Sequence, residues 1–593
     1  MFYDNIYTKI KLKRPNYSNE EMQKLKSLKN SKELYGLNPI CIDILFNRGL
    51  NTVEKIKEHI CSNIPDIPSP LLLKDSDKFI NIIMESLNNN EHIVVYGDYD
   101  IDGCMAISVI LLAIRNLGGN IDYYTNNRFI EGYGMTSNGV KDLVNKYPDV
   151  KLIITVDNGI VAYNGVDTAN ELGIKVLITD HHEQGDKLPN ALAIVNHKRK
   201  DCTYPFKGMC GAGVIWKLML LLYFELNKDC DFIYDLLDLV ALATVGDSVP
   251  LLKENRVYVK EGLKRIIQEE RLAFKKLREI CKVSIINEET LGFLYGPMIN
   301  AVGRLDGNPN IAIDIFLSND EKFIEKSIIE LVNKNEKRKE ITKVQENEAR
   351  EMLKKMNSIP NVIVLEKDTF HEGIIGLVAG RLKEEFNRPT IILTEHKAND
   401  GTIIYKGSAR SIEGFNIKEA FDELKEYLIG YGGHYMAGGL SIKKENLSDF
   451  TEAINKLSMK YLSEEDLLKK VIIDSPISAK NVTIDLIQDI EILRPFGMNF
   501  EKPKFGLNNF KLDINKNEKI YVGADLNTLR LVSEENLTLI MFKYAERYKY
   551  IQTPTNIKAV GYPIINVFNG NMSPQFQVEE NFIFNPLGKI PKK

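Results

Sequence analysis

At 593 residues the chain is too long for one hydrophobic core, and roughly three to five domains are expected. An apolar fraction of 44% with 27% charged residues excludes a disordered or fibrous chain. A formal net charge of -4 excludes a globally basic binder but leaves room for a local basic groove, and seven scattered cysteines with no CxxC pair exclude a zinc ribbon and a secreted disulfide scaffold.

Residues 1 to about 75 read as mainly helical and close in the Pro-rich IPDIPSPLLL. Their first residues, MFYDNIYTKIKLKRP, carry no signal-peptide h-region, so a cytoplasmic protein with reduced thiols is expected. From 90 to about 250 short apolar runs alternate with helical segments: HIVVYGD, CMAISVILLAIRNLG, KLIITVDNG, VDTANELG, KVLITDHH, ALAIVN and GAGVIWKLMLLLY. That alternation predicts an α/β domain with a mostly parallel sheet, and β-branched runs such as LIITV suit strands covered on both faces. The run VIWKLMLLLYFEL is short and carries Lys217, so it is a core helix and not a membrane span. Residues 320 to 357 are charge-rich and predict one long helix between domains. A second α/β region starts at 361 with NVIVLEKD, GIIGLVAGRLKEEF and PTIILTE. From about 470 short alternating strands (KIYVG, TLRLVSEENLTLIMF, KAVGYPIINVFNG, QFQVEENFIF) predict a small β-barrel or sandwich.

Three strands of the first α/β region end in titratable groups. The first ends in Asp98, Asp100 and Asp102, the second in Asp157, and the third in Asp180, His181 and His182. Ligand sites of open parallel sheets lie beyond the carboxyl ends of the strands, so these groups are expected to share one crevice. Asp247, in LVALATVGDSVPL, closes an apolar helix that returns to the same edge. A single Asp after a strand is often only a helix cap or turn residue. The conjunction points elsewhere, because crowded carboxylates resist ionisation unless cations neutralise them. Such a set is what two Mn²⁺ or Mg²⁺ ions want, and oxygen ligands with one or two imidazoles favour manganese over zinc. Such a pair activates a water and steadies the leaving oxygen of a phosphoester.

The motifs GDYDIDG, TVDNG, TDHH and ATVGDSVP stand in the order and spacing of the DHH phosphoesterase motifs. NNRFIEGYG, MCGAGVIWKL, ENRVYVKEGL, GPMINAVGR, HEGIIGLVAGRL, GSARSI, GGHYMAGGL and RPFGMNFEKPKF extend the likeness. Over most of residues 35 to 585 the chain resembles the RecJ family of single-stranded-DNA-specific 5′→3′ exonucleases. The resemblance implies two α/β domains, of DHH and DHHA1 type, joined by a long helix, with an OB-like β-barrel domain at the C-terminus. The expected segmentation is a helical region over 1–75, a DHH domain over 76–265, a helical connector over 266–357, a DHHA1 domain over 358–465 and the OB-like domain over 466–593.

Carried over residue by residue, the resemblance implies Asp100, Asp102, Asp157, His181 and Asp247 as ligands of two divalent cations, with Asp157 bridging. It gives Asp98 a ligating or orienting role, places His182 near the scissile phosphate, and leaves Asp180 to orient an imidazole. Arg128, Ser408 and Arg410 would hold a 5′-phosphate, Arg304 phosphates nearer the metals, and Tyr133 would stack on a base. His434, in YGGHYMAGG, is a further substrate-binding expectation, and FKYAERYKY at 542–550 interleaves bases with aromatics. Two positions depart from the pattern. Tyr96 stands where some DHH hydrolases carry a metal-binding His, which argues against a pyrophosphatase, and Ala409 stands where the family commonly has Gly. The resemblance further implies a role in DNA repair and recombination, a monomer acting on single-stranded DNA with a 5′ end, a helicase and a single-strand-binding protein as partners, and no membrane. Two rivals are a DHH phosphodiesterase for cyclic dinucleotides or very short RNA, and a replication scaffold that has lost its metal ligands. The β domain and long helix disfavour the first; the full carboxylate set disfavours the second.

Overall fold

A computed structural model describes residues 8–13, 16–34, 36–127, 129, 131–132, 134–269, 271–397, 402–513, 521–523, 526–542, 556–568 and 570–584. The chain folds as two compact units, one built on residues 63–469 and the other on residues 8–62 together with 470–496 and 500–593.

The first unit contains two sheets. The first sheet has five parallel strands: β1 (His92–Gly97), β2 (Ile121–Thr125), β3 (Val150–Val156), β4 (Lys175–Thr179) and β5 (Ala193–Val195). Their spatial order is β2-β1-β3-β4-β5. The strand order therefore reverses between β1 and β3, and the crevice at their carboxyl ends is where such sheets bind ligands. The strands read as near-continuous apolar runs because helices cover both faces. One face packs on α1 (Ile101–Asn116), α2 (Gly211–Glu225) and α3 (Leu237–Gly246); all three are buried along most of their length. The other face, including Val94, Tyr96, Ile153 and Val176, packs under the helices at Ser137–Lys146 and Tyr163–Glu171.

Helix α4 (Gly296–Leu305) leads toward α5 (Glu321–Lys354), the long helix anticipated from the charge-rich stretch. Ile324, Ile328 and Leu331 of α5 join the core of the first sheet, whereas Ala349 and Leu353 join that of the second. One helix thus carries apolar stripes for two cores, which its averaged charge conceals. The second sheet contains β6 (Ile363–Glu366), β7 (Thr390–Lys397), β8 (Ile403–Arg410), β9 (Leu428–His434) and β10 (Ala437–Lys443), in the order β9-β10-β8-β7-β6. Only β6 and β7 pair in parallel, and α6 (Ile375–Phe386) crosses between them. The other pairs are antiparallel.

The second unit joins three N-terminal helices, Asn19–Lys29, Pro39–Asn47 and Val53–Cys61, to C-terminal strands. Arg48 fastens them: its buried guanidinium lies 2.9 Å from the Asp474 carboxylate, donates to the Glu501 carbonyl at 2.6 Å and sits over the Phe500 ring at 4.7 Å. Seven strands form one sheet: β11 (Ser475–Ser478), β12 (Phe505–Lys511), β13 (Tyr521–Val522), β14 (Thr528–Val532), β15 (Thr538–Met541), β16 (Asn556–Phe568) and β17 (Asn571–Phe584). Their order is β11-β12-β16-β17-β15-β14-β13. Among the described residues, no helix is long and apolar enough to cross a membrane.

Candidate metal centre

The carboxyl edge of the first sheet gathers groups from four chain segments. Asp98 follows β1, Asp157 follows β3, and Asp180, His181 and His182 follow β4. Asp100 caps α1, accepting the N–H groups of Asp102 at 3.0 Å and Gly103 at 3.2 Å. Asp102 lies in the first turn of α1 and is fully buried. Its carboxylate receives the first N–H groups of α2, from Gly211 at 2.5 Å and Ala212 at 2.8 Å. The positive end of one apolar helix thereby fixes a carboxylate on another. Asp247 ends α3 at the same edge.

Three overlapping sets have ligand atoms within 4.8 Å of one another: Asp98, Asp100 and Asp157; Asp102, His181 and Asp247; and Asp157, His181 and His182. Asp157 and His181 each belong to two sets. His181 Nε2 lies 2.9 Å from Asp157 Oδ1, 3.5 Å from Asp102 Oδ2 and 3.8 Å from Asp247 Oδ2. Asp157 holds its position with φ of 59°, in the left-handed region, where Asp is among the few tolerated side chains.

Electrostatics distinguish this cluster from a set of helix caps. Burial and the Asp100 charge push the Asp102 carboxyl up to about 6. Burial, followed by the charges of Asp102, Asp100, Asp98 and Asp247, drives Asp157 well above the carboxylate range; Asp247 is raised by burial and the same neighbours. Burial and the charge of His182 depress His181 far below an ordinary imidazole, leaving a neutral ring with a lone pair to give. Buried oxygens that resist ionisation, together with a neutral imidazole, fit divalent cations that prefer oxygen donors. Asp180 is different. Burial works against its ionisation, but the hydrogen bond and charge of His182, with help from His181 and the Ile160 N–H, hold its carboxyl down at about 2. It accepts from His182 Nδ1 at 2.7 Å and from the His181 and His182 N–H groups, so it aims the imidazoles.

The other anticipated residues fall in three places. Arg304, Ser408 and Arg410 line one groove of about 650 Å³ together with Tyr99 and Gly376. There Arg410 Nη1 donates to Ser408 Oγ at 3.1 Å, and Gly376, at the start of α6, lies so close that a Cβ would sit 2.9 Å from Ser408 Oγ. His434 ends β9 and is exposed; crowding by neighbouring atoms and the charges of His182 and Lys198 lower its pKa. Arg128 and Tyr133 lie outside the described residues, as do 543–550 of the basic and aromatic stretch. Tyr96 takes no place in the cluster: it is fully buried on the opposite face of β1, where its hydroxyl donates to the Gly134 carbonyl at 3.4 Å.

Sequence reasoning missed the supports. Gly211 must be glycine because a Cβ there would approach Asp157 Cβ at 2.7 Å and Asp102 Oδ2 at 3.1 Å. The Asn300 side chain accepts the Ile101 N–H at 2.9 Å and steadies the turn between Asp98 and Asp102. The run of small residues opening GAGVIWKL was the only available signal for the first.

Comparison with known proteins agrees with this geometry. Residues 92–244 match the model of the DHH family N-terminal domain, 360–460 the DHHA1 domain and 473–580 the RecJ OB domain. The single-stranded-DNA-specific exonuclease RecJ of Bacillus subtilis is 34% identical over 568 residues, covering 94% of this chain and 70% of that protein. This chain belongs to the RecJ family. RecJ of Haemophilus influenzae is 32% identical over 537 residues, 86% of this chain and 91% of that one. The fold is that of RecJ from Thermus thermophilus in complex with Mn²⁺, with a TM-score of 0.80, 22% identity and coverage of 99% of this chain and 80% of that one. An exonuclease RecJ bound to manganese matches at 27% identity with a TM-score of 0.57, over 67% of this chain and 97% of that one.

Proposed function

We propose that the protein is a divalent-metal-dependent exonuclease that degrades single-stranded DNA from its 5′ end. The observation that carries this reading is the convergence of Asp98, Asp100, Asp102, Asp157, His181, His182 and Asp247 at the switch point of a RecJ-family chain. RecJ relatives are described as single-stranded-DNA-specific exonucleases, and their solved structures carry Mn²⁺ or Mg²⁺. Asp100, Asp102, Asp157, His181 and Asp247 would hold two such cations, with Asp157 shared and Asp98 ligating or orienting. The cations supply the positive charge that lets the buried carboxylates ionise, and the Lewis acidity that hydrolysis of a phosphodiester needs.

The remaining chemistry belongs to the chain. His182, anchored through Nδ1 to Asp180, presents its other nitrogen toward the phosphate and stabilises charge on a phosphoryl oxygen. Arg410 and Ser408, beside the start of α6, grip the 5′-terminal phosphate, and Arg304 takes a phosphate nearer the carboxylates. Arg128, Tyr133 and His434 complete the hold on the strand. A groove of this size between the two α/β domains suits one strand, which supports single-strand selectivity. The same reading assigns a monomer working in the cytoplasm in repair and recombination, supplied with single strands by a helicase and a single-strand-binding protein.

The test is direct. With Mn²⁺, single-stranded DNA labelled at its 5′ end should lose label before the same strand labelled at its 3′ end, and a blunt duplex should survive. Simultaneous release of both labels, or equal attack on the duplex, would reject the reading.

A further inference from the structure

Lys198 has no assigned role, yet it stands at the metal end of the cleft. It follows β5 by three residues, at the same carboxyl edge as the Asp and His cluster. Asn196 fixes the turn that carries it: its Oδ1 accepts the Lys198 N–H at 2.7 Å, while its Nδ2 donates to the His182 carbonyl at 2.8 Å. The Lys198 backbone is thus tied to the segment that carries His181 and His182. The half-buried ammonium lies 3.5 Å from Oε1 of Glu183, whose side chain is 61% exposed.

That ion pair is loose. At such a distance, and with one partner in solvent, it contributes little to stability, so exchanging it costs little. The Lys198 charge is also felt in the second α/β domain, where it disfavours protonation of His434. Its ion-pair partner, Glu183, faces solvent and not the carboxylate cluster. That ammonium is a positive charge close to the cluster and held by one weak contact, so it is available to a phosphate brought to this end of the cleft.

We propose that Lys198 is a strand-gripping residue, exchanging Glu183 for a backbone phosphate of the DNA at the metal end of the cleft. A phosphate oxygen accepts a shorter and stronger charge-assisted hydrogen bond than the loose carboxylate offers. A lysine on a flexible stem serves as a point charge that tolerates any base sequence, as stepwise degradation requires. This assignment rests on the exonuclease reading above.

The test uses the full chain with Lys198→Met, Lys198→Arg and Glu183→Gln. Binding of fluorescein-labelled single-stranded DNA is followed by anisotropy over a KCl series, with Ca²⁺ in place of Mn²⁺. Loss of one phosphate contact should make the slope of log K against log[KCl] shallower by about 0.7 in Lys198→Met, while Lys198→Arg keeps the wild-type slope. In Mn²⁺, KM for single-stranded DNA should rise about tenfold in Lys198→Met with kcat within about twofold, the signature of lost ground-state binding. Lys198→Arg should recover most of that loss, and Glu183→Gln should bind more tightly than wild type. An unchanged slope and KM in Lys198→Met, or a loss that arginine shares along with a lowered Tm, overturns the proposal. A wild-type protein inert toward single strands overturns the exonuclease reading instead.

Discussion

Replacing Asp157 by Asn should make the metal-free protein more stable while abolishing its activity. Asp157 is buried, sits in the left-handed region and faces four other carboxylates, whose charges add to burial in opposing its ionisation. The scale of that opposition is visible at Asp102, fully buried in the same cluster. Its carboxyl rises from 3.8 to about 6, roughly two pH units, so holding it ionised at neutral pH costs about 3 kcal/mol. A carboxyl raised in the folded state adds stability that is complete below its unfolded pKa and lost as pH climbs through the folded one. The metal-free cluster should therefore weaken the fold increasingly between about pH 4 and pH 6, and remain a burden above. Asn keeps the shape and tolerates the left-handed backbone but removes one charge. In EDTA at pH 8, urea unfolding should show Asp157→Asn more stable than wild type by about 1–3 kcal/mol, an advantage that shrinks below pH 6. Mn²⁺ should raise the wild-type Tm strongly and leave the variant almost unmoved, and hydrolysis should fall at least about a hundredfold. A variant less stable than wild type in EDTA, or one that Mn²⁺ stabilises equally, would refute the claim that repelling carboxylates await a cation here.

Proton competition should also be visible in wild-type binding: Mn²⁺ affinity measured by calorimetry should weaken as pH falls through about 6, because Asp102 must release its proton to ligate. Arg410→Ala should reduce the preference for 5′-phosphorylated over 5′-hydroxyl strands about tenfold while changing kcat little, in matched steady-state kinetics. Gly211→Ala should cost about 1–3 kcal/mol and weaken metal binding, since its methyl group meets the Asp157 backbone and side chain, which have little room to yield. Lys217→Met should lower stability by about 3–5 kcal/mol in denaturant titration, because it strands the buried Glu254 that Lys217 pairs with at 2.8 Å.

The sequence alone determined the alternation of strands and helices, because periodicity and turn residues act locally. Runs such as LIITV reported a sheet covered on both faces, and the charge-rich stretch reported the long helix, found at Glu321–Lys354. It also marked which strands end in Asp and His, since those residues lie beside the apolar runs they terminate. The distances could not be read this way. Asp102 and His181 are far apart along the chain and come within 3.5 Å only because β1, β3 and β4 are neighbours in the sheet. The role of Gly211 depends on where α2 points its first N–H groups, which is set by packing against α1. The pairing of the N-terminal helices with the C-terminal strands through Arg48 and Asp474 joins residues 426 positions apart, and no local pattern encodes it. That Lys198 follows a strand ending at the same edge as the Asp and His cluster was likewise decided by the pairing of β5 with β4. Local chemistry is written residue by residue; the field that a side chain feels is a sum over neighbours that only the folded chain brings together.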